Sequence, residues 1–316
     1  MSTSPFPGTE ARPVDFAPRS QGRALDRHSG SFGELEDSIG LLQDPAALAA
    51  RIERDGYLFL RGLLDREEVL EARRVAVDVL AGDGLLEPGT NPMEALARKG
   101  IQLAFRPDLA ATNGPLQRVL YTGPMMAFYR TLFGEDVRHF DYTWFRAVAP
   151  GFGTKPHCDI VYMGRGTRTR LFTAWVPIGD IPVHMGGLML LEGSHRQHDR
   201  LRHYLERDVD TYCTNGRHAE DIESGRKLWS WDGALAKDPV SLREKMGGRW
   251  LTADFRAGDV LTFPMHMVHA SLDNPSDRIR LSSDSRYQPD SLPADERWVG
   301  EKPIGHGLAG KRGRIC

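Results

Sequence analysis

The sequence predicts an α+β protein whose main part is a β-sandwich or barrel preceded by a short helical region. From residue 137 onward, runs rich in aromatic and β-branched residues recur between Gly and Pro, which is typical of strands. The preceding stretch carries helix start and stop signals instead. The length of 316 residues is sufficient for one large domain with a sizeable core.

Start and stop residues define the elements of the helical region. Asp44 is a candidate N-cap for a first helix, and Gly56 is its expected end. Residues 57–60 form a short apolar run that favours a buried strand, although periodicity alone leaves a helix open. Asp65 begins a second helix with a capping-box-like pattern, and this helix is expected to end at Gly82.

Helical pieces and then strands fill the rest of the chain. Residues 115–133 predict two helical pieces that are broken at Gly123 and Pro124. The strand candidates that follow are VRHFDYTWFRAV, TRLFTAWVPI, GLMLLE, RWLTADF, DVLTFPMHMVH and RIRLSSDSRY.

Composition divides the chain into a mobile arm and one domain with an insertion. Residues 1–40 are rich in Pro, Ser, Gly and Arg, so we expect a mobile N-terminal arm. Residues 41–316 then form the domain, interrupted by a polar segment at about 196–248 that is too long for a hairpin loop. Trp229 and Trp231 in this segment fit a substrate-lining role and an anchoring role equally well. We predict that it is a mobile flap over the substrate entrance.

Charge and cysteine usage exclude several classes of protein. With 41 basic and 43 acidic residues, the net charge of -2 offers no electrostatic footprint for nucleic acid. No stretch approaches the roughly 20 apolar residues that a bilayer span needs, so no membrane association is expected. Cys158, Cys213 and Cys316 are odd in number and far apart, which predicts no disulfide framework and favours a reducing cytoplasm.

One pair of residues and a distant histidine point to metal chemistry. His157 and Asp159 stand two apart, and in an extended strand their side chains share one face. His269 follows 112 residues later in a strand-like run. Two histidines and one carboxylate form the facial triad of non-haem Fe(II) oxygenases, which leaves three metal positions open. His266 competes with His269 but points to the opposite face of a regular strand.

An arginine completes the pattern and carries a family resemblance. Arg280 lies eleven residues beyond His269, where its planar fork could hold a carboxylate. The spacing His-X-Asp, then His-X-Ser-X-X-Asn, then this Arg resembles the phytanoyl-CoA dioxygenase family. The stretches DGYLFLRGLLDREEV, LFTAWVPIGDIPVHMGGLMLLEGSHR and AGDVLTFPMHMVHASLDN agree with it, so that the resemblance covers roughly residues 45–290.

The resemblance implies a fold and an activity. The expected fold is a double-stranded β-helix, the cupin-like jelly roll, with supporting N-terminal helices. The expected activity is Fe(II)- and 2-oxoglutarate-dependent oxidation of a small molecule by O2, with release of succinate and CO2. Hydroxylation is expected, with desaturation or cyclisation as variants. His157, Asp159 and His269 correspond to the iron ligands, and Arg280 to the partner of the 2-oxoglutarate C5 carboxylate.

The same resemblance assigns three further co-substrate contacts. Ser271 corresponds to a serine that meets the C5 carboxylate, and Trp175 to an aromatic residue beside the co-substrate. Gln102 corresponds to an upstream polar contact.

Two other classes of function remain open at this level. The first is a non-catalytic jelly-roll protein that binds a metal, and the second is a cupin-type metalloenzyme that does not use 2-oxoglutarate and has no need of Arg280. A group of cations near the first ligands could recruit an anionic substrate, although a solvated turn on the outer face is the preferred explanation: Arg146, Lys155, Arg165, Arg168 and Arg170. The sequence does not indicate an oligomeric state.

Overall fold

Two β-sheets face each other across the interior of the protein, and helices cover the outer side of the larger sheet. The structure is a computed structural model and describes residues 17–316. Its strands are β1 (Arg19–Ser20), β2 (Arg23–Ala24), β3 (Phe32–Glu34), β4 (Leu58–Leu60), β5 (Val137–His139), β6 (Trp144–Val148), β7 (Phe172–Pro177), β8 (Leu188–Leu191), β9 (Thr211–Cys213), β10 (Trp250–Thr252), β11 (Val260–Pro264), β12 (His269–Ser271), β13 (Arg280–Pro289) and β14 (Arg312–Arg314). Its helices are α1 (Pro45–Asp55), α2 (Arg66–Gly82), α3 (Asp108–Ala111), α4 (Gly114–Tyr121), α5 (Gly123–Phe133), α6 (Ile160–Met163), α7 (His198–Leu205), α8 (Ala219–Glu223) and α9 (Pro239–Met246).

The sheets form the jelly roll that the family resemblance implied. The larger sheet has the order β4-β11-β7-β13-β5, with β6 also paired to β13, and the smaller sheet has the order β12-β8-β10-β3. Large apolar side chains fill the space between the sheets, among them Phe59, Trp175, Leu190, Leu261 and Phe263. Side chains in a core packed at this density are held in fixed positions.

Strand β13 shows how one strand serves both sides of the larger sheet. Leu281 and Tyr287 belong to the apolar cluster beneath the helices. Arg280, Asp284 and Arg286 lie on the opposite face and line an interior cavity. Successive side chains of a strand point to opposite faces, so this alternation follows directly from the even spacing of the charged residues.

The predicted helices are confirmed. Asp44 caps α1 by accepting the Ala47 N–H at 2.9 Å, and Gly56 ends the helix with a left-handed backbone (φ 78°). A side chain at Gly56 would also collide with the ring of His195. Both the left-handed backbone and the lack of space therefore require glycine at this position. Residues 57–60 contribute strand β4, which resolves the open alternative.

The predicted N-terminal arm is wrong for residues 17–40. Strand β3 pairs in parallel with β10, and Ser20 donates its hydroxyl to the carbonyl of Ser271 at 2.9 Å. Leu25 and Leu35 are buried. The partners of β3 and Ser20 lie more than 200 residues away along the chain, so the composition of this segment gave no sign of them. Residues 1–16 of the predicted arm lie outside the described residues.

The segment 196–248 contains three helices and strand β9, which pairs in parallel with β14 near the C-terminus. Cys213 and Cys316 form a disulfide at the end of this pairing. The expectation of no disulfide is therefore wrong, because strand pairing brings together two cysteines that are 103 residues apart. This also removes the argument that led from cysteine spacing to a reducing compartment.

Within residues 17–316, every helix is too short or too polar to cross a bilayer.

Candidate metal centre

Backbone pairing places the two candidate histidine ligands side by side. The main-chain N–H groups of His157 and His269 each donate to the carbonyl of the other residue at 2.9 Å. Asp159, in contrast, has helical backbone angles (φ -66°, ψ -23°) and immediately precedes α6. The extended strand expected through both residues is therefore wrong, since the chain turns after His157. This turn brings the carboxylate to the imidazoles.

Three ligand atoms converge. The Nε2 atoms of His157 and His269 lie 3.6 and 3.5 Å from Oδ1 of Asp159. Each imidazole donates its Nδ1–H to a main-chain carbonyl, of Lys155 at 2.8 Å and of Met267 at 3.0 Å. These bonds fix the tautomer that leaves both Nε2 lone pairs free, which is the orientation a metal ion requires.

Neighbouring side chains hold the carboxylate of Asp159 in its charged form. Its Oδ2 accepts hydrogen bonds from Thr173 Oγ1 at 2.6 Å and from Arg286 Nη2 at 2.9 Å, so Oδ1 alone faces the imidazoles. Burial by itself disfavours the charge, but Arg286 and the two imidazoles outweigh it and hold the pKa of Asp159 well below its usual range. Burial, and then His157, lowers the pKa of His269 to about 4. Both groups are therefore in the protonation states of metal ligands at neutral pH.

His266 lies elsewhere. Its ring packs edge-on against His198 with 4.8 Å between centroids. Among the described residues, the group of side chains able to hold a metal consists of His157, Asp159 and His269.

A small inner cavity extends from the triad to Arg280, with Trp175 and Ser271 in its wall. Arg280 is 1% exposed and donates Nη1 to Ser282 Oγ at 3.3 Å, while its Nε has no acceptor among residues 17–316. Trp175 Nε1 is likewise buried without an acceptor in that part of the chain. Burial, and then Arg146, lowers the pKa of Arg280 to about 10, so it remains a cation at pH 7.

These donors fit a dicarboxylate that reaches from the metal ligands to Arg280. Unsatisfied buried donors are rare in proteins and call for a partner. Ser271 Oγ already accepts the Thr154 N–H at 2.7 Å, which leaves its own hydroxyl hydrogen for an acceptor in the cavity. A carboxylate between Arg280, Trp175 and Ser271 would satisfy all three. The residues present therefore fit a metal ion together with 2-oxoglutarate.

Gln102 is not brought to this site. Its side chain is exposed, and it lies outside the walls of both the inner cavity and the larger cavity beside it.

A larger outer cavity of about 280 Å³ adjoins the triad on the side of His157 and Asp159. Aromatic side chains supply much of its wall, including Phe105, Trp144 and Trp229. Trp231 is not part of this wall and stacks instead against the guanidinium of Arg207 at 3.4 Å. Of the two tryptophans in the segment 196–248, Trp229 thus lines the cavity and Trp231 packs away from it.

Most of the cations that suggested an anionic substrate have other partners. Three of them form ion pairs at 2.6–2.8 Å: Lys155 with Asp232, Arg165 with Asp208, and Arg170 with Glu135. Arg168 donates to main-chain carbonyls. Arg146 is the member of this group that lines both cavities, and its Nε donates to Asp284 at 2.5 Å.

Sequence reasoning missed two side chains that hold Asp159, namely Thr173 and Arg286. A signal for Arg286 existed, because it lies six residues beyond Arg280 on the same strand and an even spacing places both on one face. Thr173 had no comparable signal, since it contacts Asp159 from the neighbouring strand β7.

Comparison with known proteins identifies the family to which the chain belongs. The family model for phytanoyl-CoA dioxygenase (PhyH) matches residues 52–282. The chain belongs to the phytanoyl-CoA dioxygenase family. One similar protein is the 1-deoxypentalenic acid 11-beta-hydroxylase of Streptomyces arenae, which is 28% identical to this chain over 272 residues. The alignment covers 83% of this chain and 87% of the relative. The enzyme of the same name from Streptomyces exfoliatus is 27% identical over 274 residues, with the same two coverages.

Solved structures extend the family likeness to the fold. The epimerase SnoN, crystallised with Fe3+, alpha-ketoglutarate and nogalamycin RO, is 25% identical, has a TM-score of 0.52, and covers 81% of this chain and 88% of its own. The carbocyclase SnoK from nogalamycin biosynthesis is 18% identical, with a TM-score of 0.55 and coverages of 83% and 89%. At that identity, SnoK supports the family fold alone.

Proposed function

We propose that this member of the phytanoyl-CoA dioxygenase family is an Fe(II)- and 2-oxoglutarate-dependent oxygenase that hydroxylates a small natural product. The observation that carries the proposal is the pairing of two features in one cavity. At one end, two Nε2 atoms and one carboxylate oxygen converge. At the other end lies a buried arginine that has no acidic partner among the described residues.

Each side chain has a defined task in this proposal. His157, Asp159 and His269 would hold the metal ion, and a set of three protein ligands would leave positions for the co-substrate and O2. Arg280, Ser271 and Trp175 bind the far carboxylate of 2-oxoglutarate and so fix its orientation. The bound metal and co-substrate supply the oxidising chemistry, in which O2 and 2-oxoglutarate give succinate and CO2 and a substrate C–H bond is oxidised.

The outer cavity is the proposed substrate site. Its aromatic walls suit a compact, largely apolar scaffold, and its volume of about 280 Å³ suits a small molecule. The relatives named 1-deoxypentalenic acid 11-beta-hydroxylase have an acid as the substrate in their name. We infer that the substrate here is also a small anion. Hydroxylation is the preferred outcome, with desaturation and cyclisation as the variants to test, and the epimerase SnoN adds stereochemical inversion to them.

The two other classes of function, unlike the proposed one, give Arg280 no role. A jelly roll that only binds a metal, or a cupin-type enzyme without 2-oxoglutarate, has no use for a buried cation at the end of the cavity. Leaving such a group without an anion is costly, which favours the use of 2-oxoglutarate.

The test is anaerobic titration of the Fe(II)-loaded protein with 2-oxoglutarate, followed by exposure to O2 and measurement of succinate. Binding of 2-oxoglutarate and slow succinate formation without substrate are expected. 1-Deoxypentalenic acid and other small carboxylic acids are then added, and oxidised product is identified by mass spectrometry. Metal binding without any affinity for 2-oxoglutarate would instead support one of the two other classes.

A further inference from the structure

Arg286 has hydrogen-bond donors that the metal centre does not use. It is 2% exposed, and its Nη2 donates to Asp159 Oδ2 at 2.9 Å. Its Nε and Nη1 are buried and find no acceptor among residues 17–316. A buried guanidinium whose N–H groups lack acceptors, here called the idle donors Nε and Nη1, needs an acceptor from outside the chain.

Arg286 lies where the inner and outer cavities meet, since it lines both of them. Its guanidinium carbon lies 4.4 Å from the centre of the Trp144 ring, and Trp144 belongs to the wall of the outer cavity alone. Arg280, by contrast, lines only the inner cavity. The Arg286 side chain therefore borders the space proposed for the substrate.

The charges around the inner cavity do not balance when the metal and the co-substrate are bound. Three arginines (Arg146, Arg280 and Arg286) face two aspartates (Asp159 and Asp284), which leaves one positive charge. A divalent metal ion adds two positive charges and 2-oxoglutarate two negative ones, so one positive charge remains. In a buried site an uncompensated charge is unfavourable.

The ion pairs show which residue carries this surplus. Arg146 is paired with Asp284 at 2.5 Å, and Arg280 is assigned to the far carboxylate of 2-oxoglutarate. Arg286 has Asp159 as its acidic partner at 2.9 Å, and Asp159 would share its charge with the metal. Arg286 is thus the cation left undersatisfied when the site is loaded.

We propose that Arg286 binds a carboxylate of the substrate through Nε and Nη1, and that the substrate is consequently a monoanion. This inference rests on the proposed function, because the charge balance includes the metal and 2-oxoglutarate. It assigns the anion preference to Arg286 on β13 and not to the basic turn after the first ligands. The other acceptor that fits these donors is the near carboxylate of 2-oxoglutarate, and the experiment separates the two.

The experiment uses the full chain loaded with Ni(II), which does not support turnover, and measures binding by calorimetry. The first titration is with 2-oxoglutarate. The second adds cyclohexanecarboxylate to the Ni(II)- and 2-oxoglutarate-loaded protein, with cyclohexanecarboxamide as a neutral probe of the same shape. We expect the carboxylate to bind at least tenfold more tightly than the amide, and we expect bound 2-oxoglutarate to be retained.

Two variants identify the residue responsible. Arg286→Gln should abolish the preference for carboxylate over amide, while Arg286→Lys should keep part of it. Thr173→Val is the matched control, because it also removes a donor to Asp159 Oδ2 but leaves the guanidinium in place. This variant should keep the full preference even if its metal affinity falls.

The outcomes separate this inference from the proposed function. Failure of 2-oxoglutarate to bind would overturn the proposed function. Normal binding of 2-oxoglutarate with equal or undetectable binding of both cyclohexane probes would overturn only the role of Arg286. So would an unchanged preference in Arg286→Gln. Displacement of 2-oxoglutarate by the carboxylate would assign the idle donors to the co-substrate instead.

Discussion

The inner cavity and the wall of the outer cavity are built in different ways. The metal centre and Arg280 are carried by strands and by one turn, and their side chains are set by strand alternation and main-chain pairing. The outer cavity is closed by two segments that we call the outer wall, residues 196–248 and 296–316. Trp229 of the first segment and His306 of the second line the outer cavity.

A buried carboxylate joins the two segments of the outer wall, in addition to the disulfide and the pairing of β9 with β14. Asp210 is fully buried and accepts hydrogen bonds from Arg297 Nη1 at 2.5 Å, His306 Nδ1 at 2.8 Å and Lys311 Nζ at 2.6 Å. Trp229 Nε1 donates to it at 3.3 Å. The positions of the metal ligands and Arg280 thus depend on a rigid sheet. The shape of the outer cavity depends on ion pairs between segments that are distant in the sequence.

The largest expected effect is the loss of a metal ligand. Replacement of His157, Asp159 or His269 by Ala should abolish 2-oxoglutarate turnover, because each supplies one atom of a three-atom site. Metal binding by calorimetry and folding by circular dichroism should be measured together. His266→Ala is the control and should keep its activity. Full turnover by His269→Ala would show that the distal ligand is assigned wrongly.

The next effect concerns the far end of the inner cavity. Arg280→Lys should weaken 2-oxoglutarate binding by about 1.5–3 kcal/mol, roughly ten- to a hundredfold, because a point charge does not replace a planar two-pronged donor. The affinity is measured with the Ni(II)-loaded protein. Arg278→Lys, two residues earlier and outside both cavities, is the matched control. Unchanged affinity in Arg280→Lys with reduced affinity in Arg278→Lys would reverse the assignment.

The contrast between the inner cavity and the outer wall explains which site residues could be predicted from the sequence. His157, His269 and Arg280 were recognisable because the spacing of functional residues along strands is constrained, and family resemblance added their roles. The turn at Asp159 was not foreseen, since a two-residue spacing is compatible with both a strand and a turn. Thr173 escaped notice because its contact with Asp159 crosses from one strand to another.

The outer wall offered almost no local signal. Asp210 meets Arg297, His306 and Lys311 only after the chain has returned some 90 to 100 residues later. The pairing of Cys213 with Cys316 spans a similar distance. The contacts of residues 17–40 with β10 and β12 are a third case. Contacts of this kind depend on tertiary structure, which composition and periodicity do not encode.

A third prediction tests whether Asp210 stabilises the outer wall independently of the metal centre. Asp210→Asn should lower the free energy of unfolding by about 1.5–3 kcal/mol, the range for hydrogen bonds to a charged group. It should leave metal and 2-oxoglutarate affinity unchanged. Asp199→Asn, in an exposed pair with Arg202, is the control and should have little effect. Equal losses of stability in both variants would argue against a special role for Asp210.

The effect of Asp210→Asn should depend on pH in a defined direction. Burial opposes ionisation of Asp210, but His306, Lys311 and Arg297 hold its pKa below the usual range. Its contribution to stability is therefore complete above the unfolded pKa of about 4 and is lost as the pH falls toward the folded value. Urea unfolding at pH 7 and pH 3 should show a smaller difference between the two proteins at pH 3.

The smallest expected effect concerns motion of the outer wall, and it decides whether residues 196–248 act as a flap. The part of this segment around residues 210–213 is tethered by Asp210 and by the disulfide, but Arg217 and Arg226 lie beyond these tethers and are exposed. Trypsin should therefore cut the free protein first after these two residues, because cleavage requires local opening. Ni(II), 2-oxoglutarate and cyclohexanecarboxylate together should slow these cuts by a small factor if closing over a ligand orders the segment. Cleavage after Lys99, an exposed residue outside both cavities, is the internal control and should not change. Identical cleavage after Arg217 and Arg226 with and without ligands would instead make the segment a fixed part of the wall, so that access to the outer cavity would need another route.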